Sequence, residues 1–207
     1  MASEIEVKFH VGDLEAMRPR LLELGGRVAV GRHFERNWRF DLPDGSLTAR
    51  GAVLRLRLDD SARLTFKERT GQPEHREEIE FGVDDPQAAL ALLGGLGYRQ
   101  IGLYEKYRET FGLGDCQVML DELPFGSFVE IEGPSRASLQ KTAERLGLRW
   151  DLQVRESYLG LFEALRARLE QTVEQATFSA FSELPEFHPE LLGLQDAGEG
   201  RLPPLNP

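Results

Sequence analysis

Glu4, Glu6, Lys8 and His10 alternate with Ile5, Val7 and Phe9 at the start of the chain, the period-two pattern of a half-buried strand. The period then changes. Leu14, Met17, Leu21 and Leu24 recur at helical spacing between Gly12-Asp13 and Gly25-Gly26, which predicts a first helix with Pro19 as a kink point. Val28–Phe40 reads as a long strand, ended by the turn Leu42-Pro43-Asp44-Gly45. Val53–Leu58 and Arg63–Glu68 alternate on either side of Asp59-Asp60-Ser61 and form a predicted hairpin, followed by a strand over His75–Phe81. Asp84-Asp85-Pro86 opens a helix that Gly97 stops; strands follow over Gln100–Phe111, Gln117–Leu120 and Ser127–Glu132, then helices over Ser135–Leu146 and Arg155–Glu170. Two strand-rich parts, each with a helix, predict an α+β fold with an antiparallel sheet large enough to close. The segment from Ser182 holds five of the 11 prolines and is expected to be an extended or flexible appendage.

The polar side of these strands repeats the same chemistry. Glu4, Glu6 and Lys8 share one face, as do Arg55 and Arg57, Thr65 and Lys67, Arg76, Glu78 and Glu80, Lys106 and Arg108, and Glu130 and Glu132, with Asp121 shortly before the last pair. Opposite them lie Ile5, Val7, Leu54, Leu56, Leu64, Phe66, Ile79, Phe81, Val129 and Ile131, fit to pack under helices. If the sheet closes, the apolar side meets the helices and the charged side lines a lumen. A lumen holding both signs is costly to desolvate unless it is wet or filled by counterions. Arginines and lysines in such a channel suit a polyanion, and a carboxylate cluster beside them suits a hard divalent cation. Phosphate with Mg²⁺ or Mn²⁺ meets both demands.

Composition narrows this further. The 207 residues carry a net charge of −10, which argues against a general affinity for nucleic acid or an anionic membrane. No apolar run approaches the roughly 20 residues of a membrane span and the first residues lack a secretory layout, so a cytoplasmic location is expected. The single Cys116 excludes an internal disulfide and a cysteine zinc cluster, and it reads as packing. No GxxxxGK, HExxH, GxSxG or GxGxxG motif occurs. His33, His75 and His188 show no ligand spacing, His10 suits a rim, and Trp38 and Trp150 suit packing.

The opening Glu4-Ile-Glu6-Val-Lys8, followed in order by Arg55-Leu-Arg57, Leu64-Thr-Phe-Lys67, Arg76-Glu-Glu78-Ile-Glu80, Lys106-Tyr-Arg108, Leu120-Asp121, Phe128-Val-Glu130-Ile-Glu132 and Ser157-Tyr158-Leu159, resembles the CYTH superfamily of triphosphate tunnel metalloenzymes over about residues 4–162. The resemblance implies a closed eight-stranded antiparallel β-barrel with helices packed outside, in a domain over 1–170 and a tail over 171–207. It implies that Glu4, Glu6, Glu130 and Glu132, with Asp121 nearby, bind one or two Mg²⁺ or Mn²⁺, and that Glu78 and Glu80 complete a second metal site or orient the basic residues. It also implies that Lys8, Arg55, Arg57, Lys67, Arg76, Lys106 and Arg108 grip a triphosphate, with Glu6, Lys8 and Lys67 closest to the chemistry. The expected activity is hydrolysis of tripolyphosphate, thiamine triphosphate or a nucleoside triphosphate. The alternatives are class IV adenylate cyclase chemistry on ATP and a non-catalytic polyphosphate or nucleotide binder. A monomer or a homodimer fits. One departure stands out: where many members read Thr-Tyr-Phe-Asp, this chain reads Trp38-Arg39-Phe40-Asp41, placing a cation at an aromatic position.

Overall fold

The computed structural model describes residues 5–69, 76–169, 173–184 and 189–198. The predicted alternations become strands β1 (Ile5–Val11), β2 (Arg27–Asp41), β3 (Val53–Leu58), β4 (Ala62–Arg69), β5 (Arg76–Val83), β6 (Arg99–Leu113), β7 (Cys116–Leu123) and β8 (Gly126–Gly133). The helices are α1 (Leu14–Glu23), α2 (Ser46–Ala49), α3 (Pro86–Gly95), α4 (Arg136–Leu146), α5 (Tyr158–Arg166) and α6 (Phe178–Ser182). Their starts follow the capping chemistry of the sequence: the side chains of Asp13, Asp85, Ser135, Ser157 and Thr177 each accept a backbone N–H in the first turn of the helix that follows. Short α2 had no periodic signal. It forms because the Asp41 carboxylate accepts the N–H groups of Leu42, Leu47 and Thr48 and folds the chain back at the end of β2.

All eight strands form one sheet in the order β1-β8-β7-β6-β2-β3-β4-β5, and every neighbouring pair is antiparallel. This differs from the expected closed barrel, because β1 and β5 are the two edges and no ladder joins them among the described residues. The free edge of β1 is occupied instead by the chain that follows α4. Val154 N–H donates to Lys8 O at 2.8 Å, Phe9 forms an isolated bridge with Gln153, and Ala197 N–H donates to His10 O at 2.9 Å. These bonds take the backbone groups a closing strand would need, and cover an edge that would otherwise template aggregation.

The apolar side of the sheet is covered by two helical layers. Phe9, Val11, Phe111, Val118, Val129 and Ile131 pack with α1 and α4, while Leu54 and Leu56 pack with Leu47 of α2 and Leu93 of α3. On β5 the apolar side is not covered: Ile79 and Phe81 are 61% and 56% exposed. A third cluster closes one end of the sheet, where Tyr104, Phe125 and Phe128 meet Tyr158, Phe162, Val173, Ala176, Phe181 and Leu192. Ala176 extends the ladder of β6 beyond the last residue that β7 reaches, exchanging bonds with Leu103 O and Glu105 N–H at 2.9 Å each. The described residues of the segment expected as an extended tail are therefore packed, with Val173, Ala176, Leu192 and Ala197 all buried. No helix among the described residues is long and apolar enough to cross a membrane.

Two substitutions on equivalent strand positions test which side of the sheet is covered. Phe9→Ala removes a fully buried ring and is expected to lower unfolding free energy by about 3–5 kcal/mol, whereas Ile79→Ala on open β5 should cost under about 1 kcal/mol. Chemical denaturation of the two variants measures the contrast.

Candidate active site

Residues directly opposite in antiparallel strands point to the same side of a sheet, so the register assembles the charged face row by row. Glu6 lies across from Glu132 and Lys8 from Glu130. Asp121 lies between Phe128 and Arg108, and Lys106 faces Glu35. Asn37 faces Arg57, Arg39 faces Arg55, Thr65 faces Glu80, and Lys67 faces Glu78. The face is thereby divided. Strands β1 and β8 carry the acidic wall of Glu6, Glu130 and Glu132, and strands β2 to β4 carry the basic wall of Arg39, Arg55, Arg57 and Lys67.

Between the walls sits a buried ionic knot. Asp121, fully buried, accepts Arg108 Nε at 2.6 Å and Nη2 at 2.5 Å, Lys106 Nζ at 3.0 Å and the Tyr158 hydroxyl at 2.8 Å. Arg108 Nη2 also reaches Glu130, and Lys106 Nζ lies 3.6 Å from buried Glu35. Burial pushes the Asp121 carboxyl up, but Arg108 and Lys106 outweigh it and hold it well below the usual carboxylate range. Burial likewise raises Glu35, and Lys106, Arg108 and Arg57 overcome it to bring the group to about 2. For Tyr158, burial and the nearby Asp121 and Glu130 both raise the phenol, which stays protonated and donates. Lys8 Nζ lies 4.0 Å from the centre of the same ring, 3.5 Å from Glu130 and within hydrogen-bond reach of Glu156 O. Lys106 Nζ lies 5.2 Å from that ring centre, so Tyr158 contacts two lysines as well as the aspartate.

The basic wall is held more loosely. Arg57 is 3.5 Å from Asp59, 3.6 Å from Glu80 and 3.9 Å from Glu35, while Arg55 reaches Glu80 only at 4.0 Å. Lys67 pairs with Glu78 at 2.8 Å, and the Thr65 hydroxyl donates to Glu80 at 2.8 Å. Burial lowers the Arg55 guanidinium, but Tyr104 and Glu35 more than restore it, so its charge is secure. The Nε atoms of Arg55 and Arg57 and both amide atoms of Asn37 are buried without a hydrogen-bond partner.

Two sets of side chains could hold a cation. Glu6 stands directly opposite Glu132, beside Glu130 on the same face, and carboxylate oxygens are the donors that Mg²⁺ and Mn²⁺ prefer. The acidic wall therefore fits a hard divalent ion. The ligand atoms of His33, Glu35 and Asp59 also lie within 4.8 Å of one another. That group is already served by cations, because Lys106 and Arg57 contact Glu35 and Arg57 contacts Asp59, so a metal there meets electrostatic competition.

The structure brings Glu6, Lys8, Arg55, Arg57, Lys67, Glu78, Glu80, Lys106, Arg108, Asp121, Glu130 and Glu132 onto one face. Glu4 lies outside the described residues, as does the side chain of Arg76, whose backbone pairs with Arg69. Lys106 is 2% exposed and both Asp121 oxygens are engaged, so these two are placed to hold the site in shape. Charge spacing overlooked Glu35, Asn37 and His33, which occupy the charged side of β2. The alternation Glu35, Asn37, Arg39 would have pointed to the first two.

A CYTH domain model matches residues 2–158, and the chain belongs to the CYTH domain family. Adenylate cyclase CyaB of Aeromonas hydrophila is 30% identical over 155 residues, covering 70% of this chain and 81% of that protein. Among solved structures, a candidate adenylate cyclase from Vibrio parahaemolyticus aligns with a TM-score of 0.70 at 23% identity, over 78% of this chain and 98% of that one. HpAC1 from Hippeastrum, a candidate adenylyl cyclase described with a dominant triphosphatase activity, aligns at 0.57 and 20% identity, over 77% of this chain and 95% of that one. These two share the fold.

The knot sets the acid limit of the fold. A carboxylate with a depressed folded pKa stabilises above its ordinary value and loses that contribution as pH falls through the folded value. For Glu35 the window runs from about 4.5 down to about 2, and Asp121 acts in the same direction. Denaturation midpoints should therefore fall steadily below about pH 4.5, with a shallower fall in Glu35→Gln. At neutral pH, Asp121→Asn leaves Lys106 and Arg108 short of a buried counter-charge and should cost about 3–5 kcal/mol in the same measurement.

Proposed function

We propose that the protein is a divalent-metal-dependent triphosphatase that lays a chain of linked phosphates along its charged face, the wall of a triphosphate tunnel. The observation that carries this reading is the division of that face. An anion with three linked phosphorus centres offers oxygens both to Arg55, Arg57 and Lys67 and to Mg²⁺ or Mn²⁺, which Glu6, Glu130 and Glu132 would hold. The ion, when bound, neutralises phosphoryl oxygens as a Lewis acid.

The chain's own residues do the rest. Arg55 and Arg57 present forked donors to non-bridging oxygens, and Lys67 supplies a point charge. Phosphoryl transfer depends on in-line positioning and on charge stabilisation more than on covalent help. Lys8, held on β1 by Tyr158 and Glu130, takes up charge on the leaving oxygen. Arg108 and Lys106, tied to Asp121, keep Glu130 and Glu35 in place. Glu78 and Glu80 flank the basic wall and can orient a water toward the bound phosphorus.

Cyclisation of ATP is the second reading, favoured by the relative named adenylate cyclase CyaB. It needs a surface that reads adenine and ribose. The charged side of β2 to β4 offers Asn37, Arg39, Arg55, Arg57, Thr65 and Lys67, and the rings near it are already engaged: His33 with Gly31 O and Glu35, Tyr104, across from Asn37, with Arg55, and Phe128 and Tyr158 in an apolar cluster. Hydrolysis is therefore the reading we adopt, with tripolyphosphate, thiamine triphosphate and ATP as substrates to compare.

Phosphate release from tripolyphosphate with Mg²⁺ or Mn²⁺, run beside cyclic AMP formation from ATP, tests both. We expect release without cyclic AMP, abolished by chelation. Glu6→Gln and Glu132→Gln should each lower kcat at least about 100-fold with unchanged unfolding midpoints; full activity in both variants refutes the assignment of the acidic wall to the metal.

A further inference from the structure

Lys8 lies directly across from Glu130 on β1 and β8, and Lys67 directly across from Glu78 on β4 and β5. The two pairs share a register relation and differ in distance. Lys67 Nζ closes on Glu78 to 2.8 Å, whereas Lys8 Nζ stops 3.5 Å from Glu130 Oε1, beyond the roughly 2.7–3.2 Å of a formed hydrogen bond. The wider pair is also the less exposed, at 12% for each side chain against 24% and 41%. Opposite charges attract more strongly as water is excluded, so burial by itself gives the reverse order. A further restraint holds Lys8 back.

That restraint is the chain at the start of α5. Val154 N–H donates to Lys8 O at 2.8 Å and Lys8 Nζ donates to Glu156 O at 3.0 Å, so both ends of the lysine are tied to one short segment. Ser157 Oγ accepts the Gly160 N–H at 3.1 Å, the donor that a longer helix would give to Glu156 O, and so frees that carbonyl for the lysine. Tyr158 then sets its ring 4.0 Å from Nζ. The ring is itself fixed, because its hydroxyl donates to Asp121 at 2.8 Å and Phe128 packs against it edge-on at 5.1 Å. Donation to a carboxylate polarises the phenol and strengthens the hold of its face on a cation. On the far side of Glu130, Arg108 Nη2 takes Oε2, which leaves Oε1 as the oxygen nearest Lys8.

We propose that residues 154–158, with Tyr158 as the positioning residue, hold the Lys8 ammonium off Glu130, so that Lys8 keeps an N–H for substrate and Glu130 Oε1 stays open to a divalent cation. An ammonium has three donors, and Glu156 O uses one. Were Lys8 to close on Glu130 as Lys67 does on Glu78, each would spend on the other the charge it brings to the site. The proposal rests on the triphosphatase reading and adds what keeps its lysine and its carboxylate apart.

Mn²⁺ titration of the substrate-free full chain, read by loss of the free-ion paramagnetic resonance signal, tests this beside kinetics on tripolyphosphate. Tyr158→Phe keeps the ring face and should hold Mn²⁺ affinity and kcat within about threefold. Tyr158→Leu should weaken Mn²⁺ binding at least about fivefold and lower kcat at least about tenfold, with KM changed less than about twofold. Adding Lys8→Met to Tyr158→Leu should return Mn²⁺ affinity to within about twofold of Lys8→Met by itself, because no ammonium remains to fall on Glu130. A tyrosine that only supports the fold gives no such rescue. Persistent loss in the double variant, equal losses in the Phe and Leu variants, or no loss in Tyr158→Leu overturns the proposal. If Tyr158→Leu fails to fold, the wild-type protein decides by nuclear magnetic resonance. The Lys8 ε-protons, assigned by their loss in Lys8→Met, should lie upfield of those of Lys67 and Lys141 through the Tyr158 ring current, and an ordinary position overturns the assignment. Absence of phosphate release by the wild type refutes the triphosphatase reading instead, and leaves the Mn²⁺ and resonance comparisons to judge the positioning.

Discussion

Asp121 is the point on which the molecule is balanced. A carboxylate with no exposure would be a severe penalty if alone, and here it is bound by two cations and a phenol drawn from β6 and α5. The knot joins the middle of the sheet to the helix that closes one of its ends, so the same bonds that compensate for burial also fix Lys8, Lys106 and Tyr158 relative to one another. Breaking it from either side exposes an uncompensated charge to a low-dielectric interior.

Around that centre the acidic residues concentrate on β1 and β8 and the basic ones on β2 to β4, with ion pairs in both regions. Where opposite charges meet, as in Arg108 with Glu130 or Lys67 with Glu78, the walls support themselves. Elsewhere the register sets groups of one sign side by side, as in Glu6 with Glu132 and Arg39 with Arg55. The arginine rows account for why a protein of net charge −10 can present a local basic surface. An average over the chain conceals a segregation that the register creates.

The edges show a second economy. A sheet that does not close must protect its ends, and β1 is covered by Gln153, Val154 and Ala197. The residues around Ala176 do the same for the part of β6 that β7 leaves bare. Residues beyond the CYTH match thus belong to the packed body. β5 lacks such cover, and its outward Ile79 and Phe81 remain open.

The sequence by itself determined the strands and the helices of regular period, because alternation and helical spacing are local and capping residues mark where each helix starts. It also determined which side of each strand is charged and, through the ordered motifs from Glu6 to Glu132, the family. Tertiary structure alone decided how those sides are used. Strand order and register are long-range properties, so only the folded chain places Glu35 beside Lys106, Asn37 beside Arg57, and Arg39, whose orientation the sequence left open, across from Arg55. Helix α2 rests on four hydrogen bonds to a single carboxylate, and the packing of Val173, Ala176, Phe181 and Leu192 rests on apolar contacts with distant strands. Neither leaves a periodic trace. The open seam between β1 and β5 follows from competition for one edge by a segment more than 140 residues away, which no reading of neighbours along the chain can anticipate.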